Sequence, residues 1–105
     1  MAGVNKVILL GNVGKDPEIR AIDANRRAAN FTLATSESYR NQQGERVEQT
    51  EWHNIAFYGP IVDVIEKYVR KGKQVYIEGR IRTRSYDDKD GVKKYYTEII
   101  GQNLT

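Results

Sequence analysis

The stretch that decides the fold is residues 59–84, GPIVDVIEKYVRKGKQVYIEGRIRTR, where a helical pattern gives way to a strand pattern. Gly59-Pro60 opens it, because a proline is tolerated in the first helical turn, where its missing N–H has no intrahelical partner. Ile61, Val64, Ile65 and Tyr68 then recur at helix spacing, and Arg70 and Lys71 oppose the negative end of the helix dipole. Gly72 can take the left-handed conformation that ends a helix. The spacing predicts a helix of about a dozen residues with one buried face. From Gln74 the period falls to two. Val75, Ile77 and Ile81 alternate with Glu78, Arg80, Arg82 and Arg84, which predicts a strand with its aliphatic residues inward and Arg80, Arg82, Arg84 and Tyr86 together on the other side.

Downstream, Asp90-Gly91 is a hairpin signal leading into a strand from Val92 to about Ile100. Upstream, Val4 to Leu10 is apolar on both parities, as expected of a strand covered by its own core on one side and by a neighbouring subunit on the other. Arg26 to Ser36 and Thr50 to Tyr58 read as two further strands joined through a long, exposed, polar connection around Asn41, Gln42, Gln43 and Gly44. Two or three strands, one helix and a further hairpin predict an all-β fold with one short helix. That is the element order of the five-stranded OB barrel, whose helix sits between the third and fourth strands. No internal repeat, linker or low-complexity run divides residues 1–105, which read as one domain.

Composition excludes several chemistries. There is no cysteine, hence no disulfide, thiolate metal site or cysteine nucleophile. The one histidine, His53, has no nucleophile or metal partner beside it, so no catalytic residue, metal or cofactor is expected. A phosphate loop at Gly11 to Lys15 fails because Leu9 stands where a glycine is needed and Asp16 where a hydroxyl must hold magnesium. A calcium loop over residues 86–97 fails because Tyr86 and Thr97 replace its first and last ligands. No segment is long and apolar enough to span a membrane, and Met1 to Leu10 lacks a signal peptide's apolar run, which leads us to expect a cytoplasmic protein. Seventeen basic against 14 acidic residues give a net charge of +3, too small to decide anything without its placement.

Placement is informative. Strand parity sends Trp52, Asn54, Ala56 and Tyr58 to one surface, and Tyr39 and Tyr86 add two more rings among Arg40, Arg80, Arg82 and Arg84. One aromatic residue in a strand more often fills space than binds a ligand. Rings interleaved with fixed cations, however, form a surface on which unpaired bases stack while their phosphates are neutralised. We therefore expect single-stranded nucleic acid as the partner, with base stacking on Tyr39, Trp52, Tyr58 and Tyr86. The candidates for phosphate contact are Lys6, Arg20, Arg40, Lys71, Lys73, Arg80, Arg82 and Arg84.

Several blocks then carry a resemblance: Gly3 to Asn12 (GVNKVILLGN), Gly14 to Arg20 (GKDPEIR), Phe31 to Ser36 (FTLATS), Gln49 to His53 (QTEWH) and Arg70 to Gly79 (RKGKQVYIEG). In this order, over essentially the whole chain, they resemble the bacterial single-stranded DNA-binding protein family. The resemblance implies a homotetramer of OB folds that wraps single-stranded DNA without sequence preference in replication, recombination and repair, associated with the nucleoid. It places the stacking rings at Tyr39, Trp52, Tyr58 and Tyr86, where the family more often has tryptophan at the Tyr39 and Tyr86 positions and phenylalanine at that of Tyr58. Asn54, Pro60 and Ser85 stand where basic residues are common. The resemblance also assigns Asn5, Val7, Leu9, His53, Gln74 and Tyr76 to subunit contacts. Family members usually continue into a flexible tail with an acidic tip that recruits replication and repair proteins, and this sequence does not contain it. An RNA-binding or primosomal accessory OB-fold domain is the alternative, since stacking alone does not distinguish DNA from RNA.

Overall fold

Chain order in the computed structural model, which describes residues 2–105, is β1 (Val7–Val13), β2 (Glu18–Ala21), β3 (Arg27–Arg40), β4 (Arg46–Tyr58), α1 (Ile61–Tyr68), β5 (Gln74–Asp87) and β6 (Lys93–Leu104). The strands form one sheet in the order β1-β5-β6-β4-β3-β2, and β1 returns to β3 at Asn12 and Val13 to close it. The five long strands make the barrel expected of an OB fold. The short β2, which the sequence reading missed, pairs with the edge of β3 that β1 leaves free.

Phe31, Leu33, Ile55, Phe57, Val75, Ile77 and Ile99 turn inward from the strands, with the rings of Phe31 and Phe57 stacked 6.3 Å apart. Burying such side chains is the main favourable term in folding, at about 1.5–3 kcal/mol each. Gly101 is required beside them, because a Cβ there would meet the Phe57 ring at 2.2 Å.

Helix α1 caps the barrel but differs in detail from the expectation. It is eight residues long rather than about twelve, and Val62 and Ile65 are its buried pair, followed by Val69 just beyond its end. Val64 and Tyr68 face solvent. Four aliphatic residues in five positions allow two different stripes, and the sheet beneath selects the one ending at Val69. Arg27 pins the helix to β3 through Asp63 and Glu66. Gly72 has the positive φ, 89°, that its identity suggested, but in the turn leading to β5 rather than at the helix cap, where Val69 is already extended.

Two ribbons leave the barrel. Beyond Ala34 and Trp52, β3 and β4 pair only with each other out to Arg40 and Arg46. The expected long loop is therefore mostly paired strand, and Asn41 accepts hydrogen bonds from the backbone of Gln43 and Glu45 at its tip. β5 and β6 likewise continue as a pair to Asp87 and Lys93. Ile81, expected inward, is half exposed because β5 loses its β1 partner after Gly79, although it still pairs with Ile99 of β6.

Candidate nucleic-acid interface

Residues directly opposite in paired strands share a face. The register therefore assembles the outer face of the sheet across five strands: Glu18 and Arg20 on β2, Asn30 and Thr32 on β3, Trp52, Asn54, Ala56 and Tyr58 on β4, Tyr96, Glu98 and Ile100 on β6, and Arg80, Arg82, Arg84 and Tyr86 on β5. Ala28, Ala56 and Ile100 are buried yet lie outside the core cluster, since they form the floor of this outer face. The two alanines leave room for larger groups to lie across the sheet.

Three of the four expected stacking rings stand on this face. Trp52 is 60% exposed, and its benzo edge rests on Gly14, where a Cβ would meet the ring at 2.5 Å. Gly14 is thus the platform that lets the indole lie beside the sheet. Tyr58 is 38% exposed and Tyr86 extends along the β5–β6 ribbon, also exposed. Tyr39 is placed differently. It is exposed near the tip of the β3–β4 ribbon, and by register it shares a face with Val47 and His53 rather than with Trp52.

The expected cations fall into three groups. Arg20 and Arg84 line a groove of about 280 Å³ with Lys15, Asn30, Thr32, Asn54 and Tyr96, while Arg80 lies exposed on the same face. Arg40 sits opposite Arg46 at the tip of the first ribbon, beside Tyr39. Others have partners within the chain: Lys73 donates to the Tyr68 carbonyl at 3.0 Å and Lys6 lies 3.9 Å from Glu78, whereas Lys71 commits only its backbone N–H, to Asp16 at 2.8 Å, and its side chain is exposed. Arg82 donates to Glu98, at 2.6 Å from Nη2 and 3.2 Å from Nε, and to the Tyr58 hydroxyl at 3.4 Å. Those bonds, the one to Glu98 foremost, hold its guanidinium even more firmly protonated than usual.

Sequence reasoning missed Lys15, Arg46, Tyr96 and Glu98. Tyr96 and Glu98 were within reach, because counting back from the Asp90-Gly91 tip places them opposite Arg84 and Arg82. The guanidinium of Arg84 lies 5.2 Å from the centre of the Tyr96 ring, in cation–π range. The acidic tip is self-contained, for Asp88 accepts from the backbone of Asp90 and Val92 at 2.9 Å as a turn does.

The residues expected at subunit contacts lie on or just before β1, at the start of β5 and, for His53, on β4. Gln74 and Tyr76 share the outer face of β5 and β1 with Asn12 and Leu10, and Ile8 continues that face. Val7 and Leu9 lean on the core instead, while Ile8 and Leu10 are the outward pair at 58% and 59% exposure. Asn5 bonds both backbone groups of Ile81, extending β1 by side-chain mimicry of a strand pair. His53 bonds Thr35 at 2.9 Å.

A closed five-stranded barrel with a helix between its third and fourth long strands, and an open face of rings and cations, defines an OB-fold binding protein. The chain belongs to the Single-strand binding protein family, whose profile matches residues 4–105. This is a family of binding proteins, not enzymes. Among solved structures, the Plasmodium falciparum SSB in its complex with ssDNA is similar at 37% identity and a TM-score of 0.92, over 99% of this chain and 95% of that one.

Proposed function

We propose that this protein binds single-stranded DNA without sequence preference, stacking bases on Trp52, Tyr58 and Tyr86 and neutralising phosphates with Arg20, Arg80 and Arg84. The observation that carries this is the outer face itself, on which rings and cations from separate strands meet over a floor of Ala28, Ala56 and Ile100. The ssDNA-bound relative supports the same ligand class. Tyr39, Arg40 and Arg46 form a second station at the tip of the ribbon, which a strand leaving the barrel would reach. In the cell this activity protects exposed strands during replication, recombination and repair, and puts the protein in the cytoplasm with the nucleoid.

The protein acts as a homotetramer in this reading. Between Val7 and Gly11, β1 is paired on one edge only, and Ile8 and Leu10 offer apolar side chains beside that open edge. An unpaired edge with exposed aliphatics invites a second strand, and a second copy of the chain supplies a self-complementary one, which makes the dimer from which the tetramer is built. Linked binding faces make later engagements intramolecular.

The test is competition for a labelled dT oligomer by unlabelled dT, rU and duplex of equal length, repeated across salt concentrations. We expect dT to compete best, duplex to fail, and affinity to fall with salt by about 0.7 in log K per log unit for each phosphate neutralised. Stronger competition by rU would favour the RNA-binding alternative, and salt-independent binding would remove the cations from the site.

A further inference from the structure

Glu98 is the one buried charged side chain among the described residues, 2% exposed, and it lies on the outer face. A carboxylate placed under a surface for polyanions opposes the ligand, and burying it without partners would be costly. It has partners on both sides. Its Oε1 accepts the Nε and Nη2 of Arg82, and its Oε2 stands 3.6 Å from the Nη2 of Arg84. Arg82 continues to the hydroxyl of Tyr58, whereas Arg84 reaches over Tyr96 to the groove it shares with Lys15 and Arg20.

We propose that Glu98 is an internal counter-ion that sets how many charges this face offers to DNA. Two guanidiniums and one carboxylate leave a single net positive charge. Arg82 commits one edge of its fork to an anion already stripped of water, and a phosphate arriving from solvent must compete with it. Arg82 is therefore a positioning residue that holds Tyr58 in place, and Arg84 is the member of the pair that neutralises a phosphate. Glu98 keeps the two like charges from spreading apart and limits how tightly the face grips a strand. This inference rests on the single-strand reading above.

The experiment measures poly(dT) affinity against salt for the wild type, Glu98→Gln, Arg84→Gln and the double variant Arg82→Gln with Glu98→Gln. Removing the counter-ion frees Arg82, so Glu98→Gln should steepen the log K against log salt slope by about 0.7, an extra gain of about 5-fold for each tenfold dilution of salt. Arg84→Gln should make the slope shallower by about the same amount. The double variant removes one charge of each sign and should keep the wild-type slope while binding more weakly, because Tyr58 loses its partner. It also leaves no lone buried charge, so it reports even if Glu98→Gln alone does not fold. A wild-type slope in Glu98→Gln, or a double variant as shallow as Arg84→Gln, overturns the proposal. A wild type that binds no poly(dT) overturns the single-strand reading first, and so the two failures are distinguishable.

Discussion

Replacing Trp52 with alanine is expected to weaken poly(dT) binding by about 1–3 kcal/mol per base stacked, roughly 5- to 150-fold, with little change in thermal stability. The indole is mostly exposed and leans on Gly14 rather than on the core, so its loss opens no cavity. Its flat face is the largest on the outer surface, and it stands at the point where the first ribbon leaves the barrel. Isothermal titration against an oligomer long enough to cross one barrel reads the effect directly. An affinity unchanged within error would take Trp52 out of the site, and a melting point lowered by several degrees would make it a structural residue instead.

The second large effect concerns assembly. Ile8→Asp combined with Leu10→Asp puts two carboxylates on the open face of β1 without touching Val7 or Leu9, which pack inward. We expect the barrel to fold and the tetramer to fall apart into dimers or monomers, and affinity for long poly(dT) to fall by about 100-fold or more as linkage between binding faces is lost. Affinity for an oligomer that occupies only one barrel should be unchanged. Light scattering and binding at two oligomer lengths check both points. A variant that remains tetrameric would move the interface to another surface, and a wild type that is already monomeric would remove the tetramer altogether.

Much of this was legible in the sequence, and what was not has particular causes. The order of strands, helix and final hairpin could be read because period and turn chemistry agree at Gly59-Pro60 and at Asp90-Gly91. Parity correctly grouped Trp52 with Tyr58, and Arg80, Arg82 and Arg84 with Tyr86, since both are local properties of one strand. Relations between strands were harder. Tyr39 counts in the sequence as one more ring for stacking, yet the hairpin register puts it on the other face of the ribbon from Trp52. Arg82 looks like a free cation until β6 brings Glu98 against it. In β1, alternation alone cannot say which of Val7 and Ile8 turns inward, because both are aliphatic, and only closure against β5 decides. Local pattern thus gives the elements, and pairing decides which charges and rings are available to a ligand.

The most direct measurement is a fluorescence titration of the intact protein with poly(dT), for Trp52 is the chain's single tryptophan and lies in the middle of the proposed track. If bases stack on it, emission should be quenched in a saturable way and recover as salt is raised. Emission that stays constant while an independent method detects bound strand would contradict the account, because the polynucleotide would then lie elsewhere on the barrel.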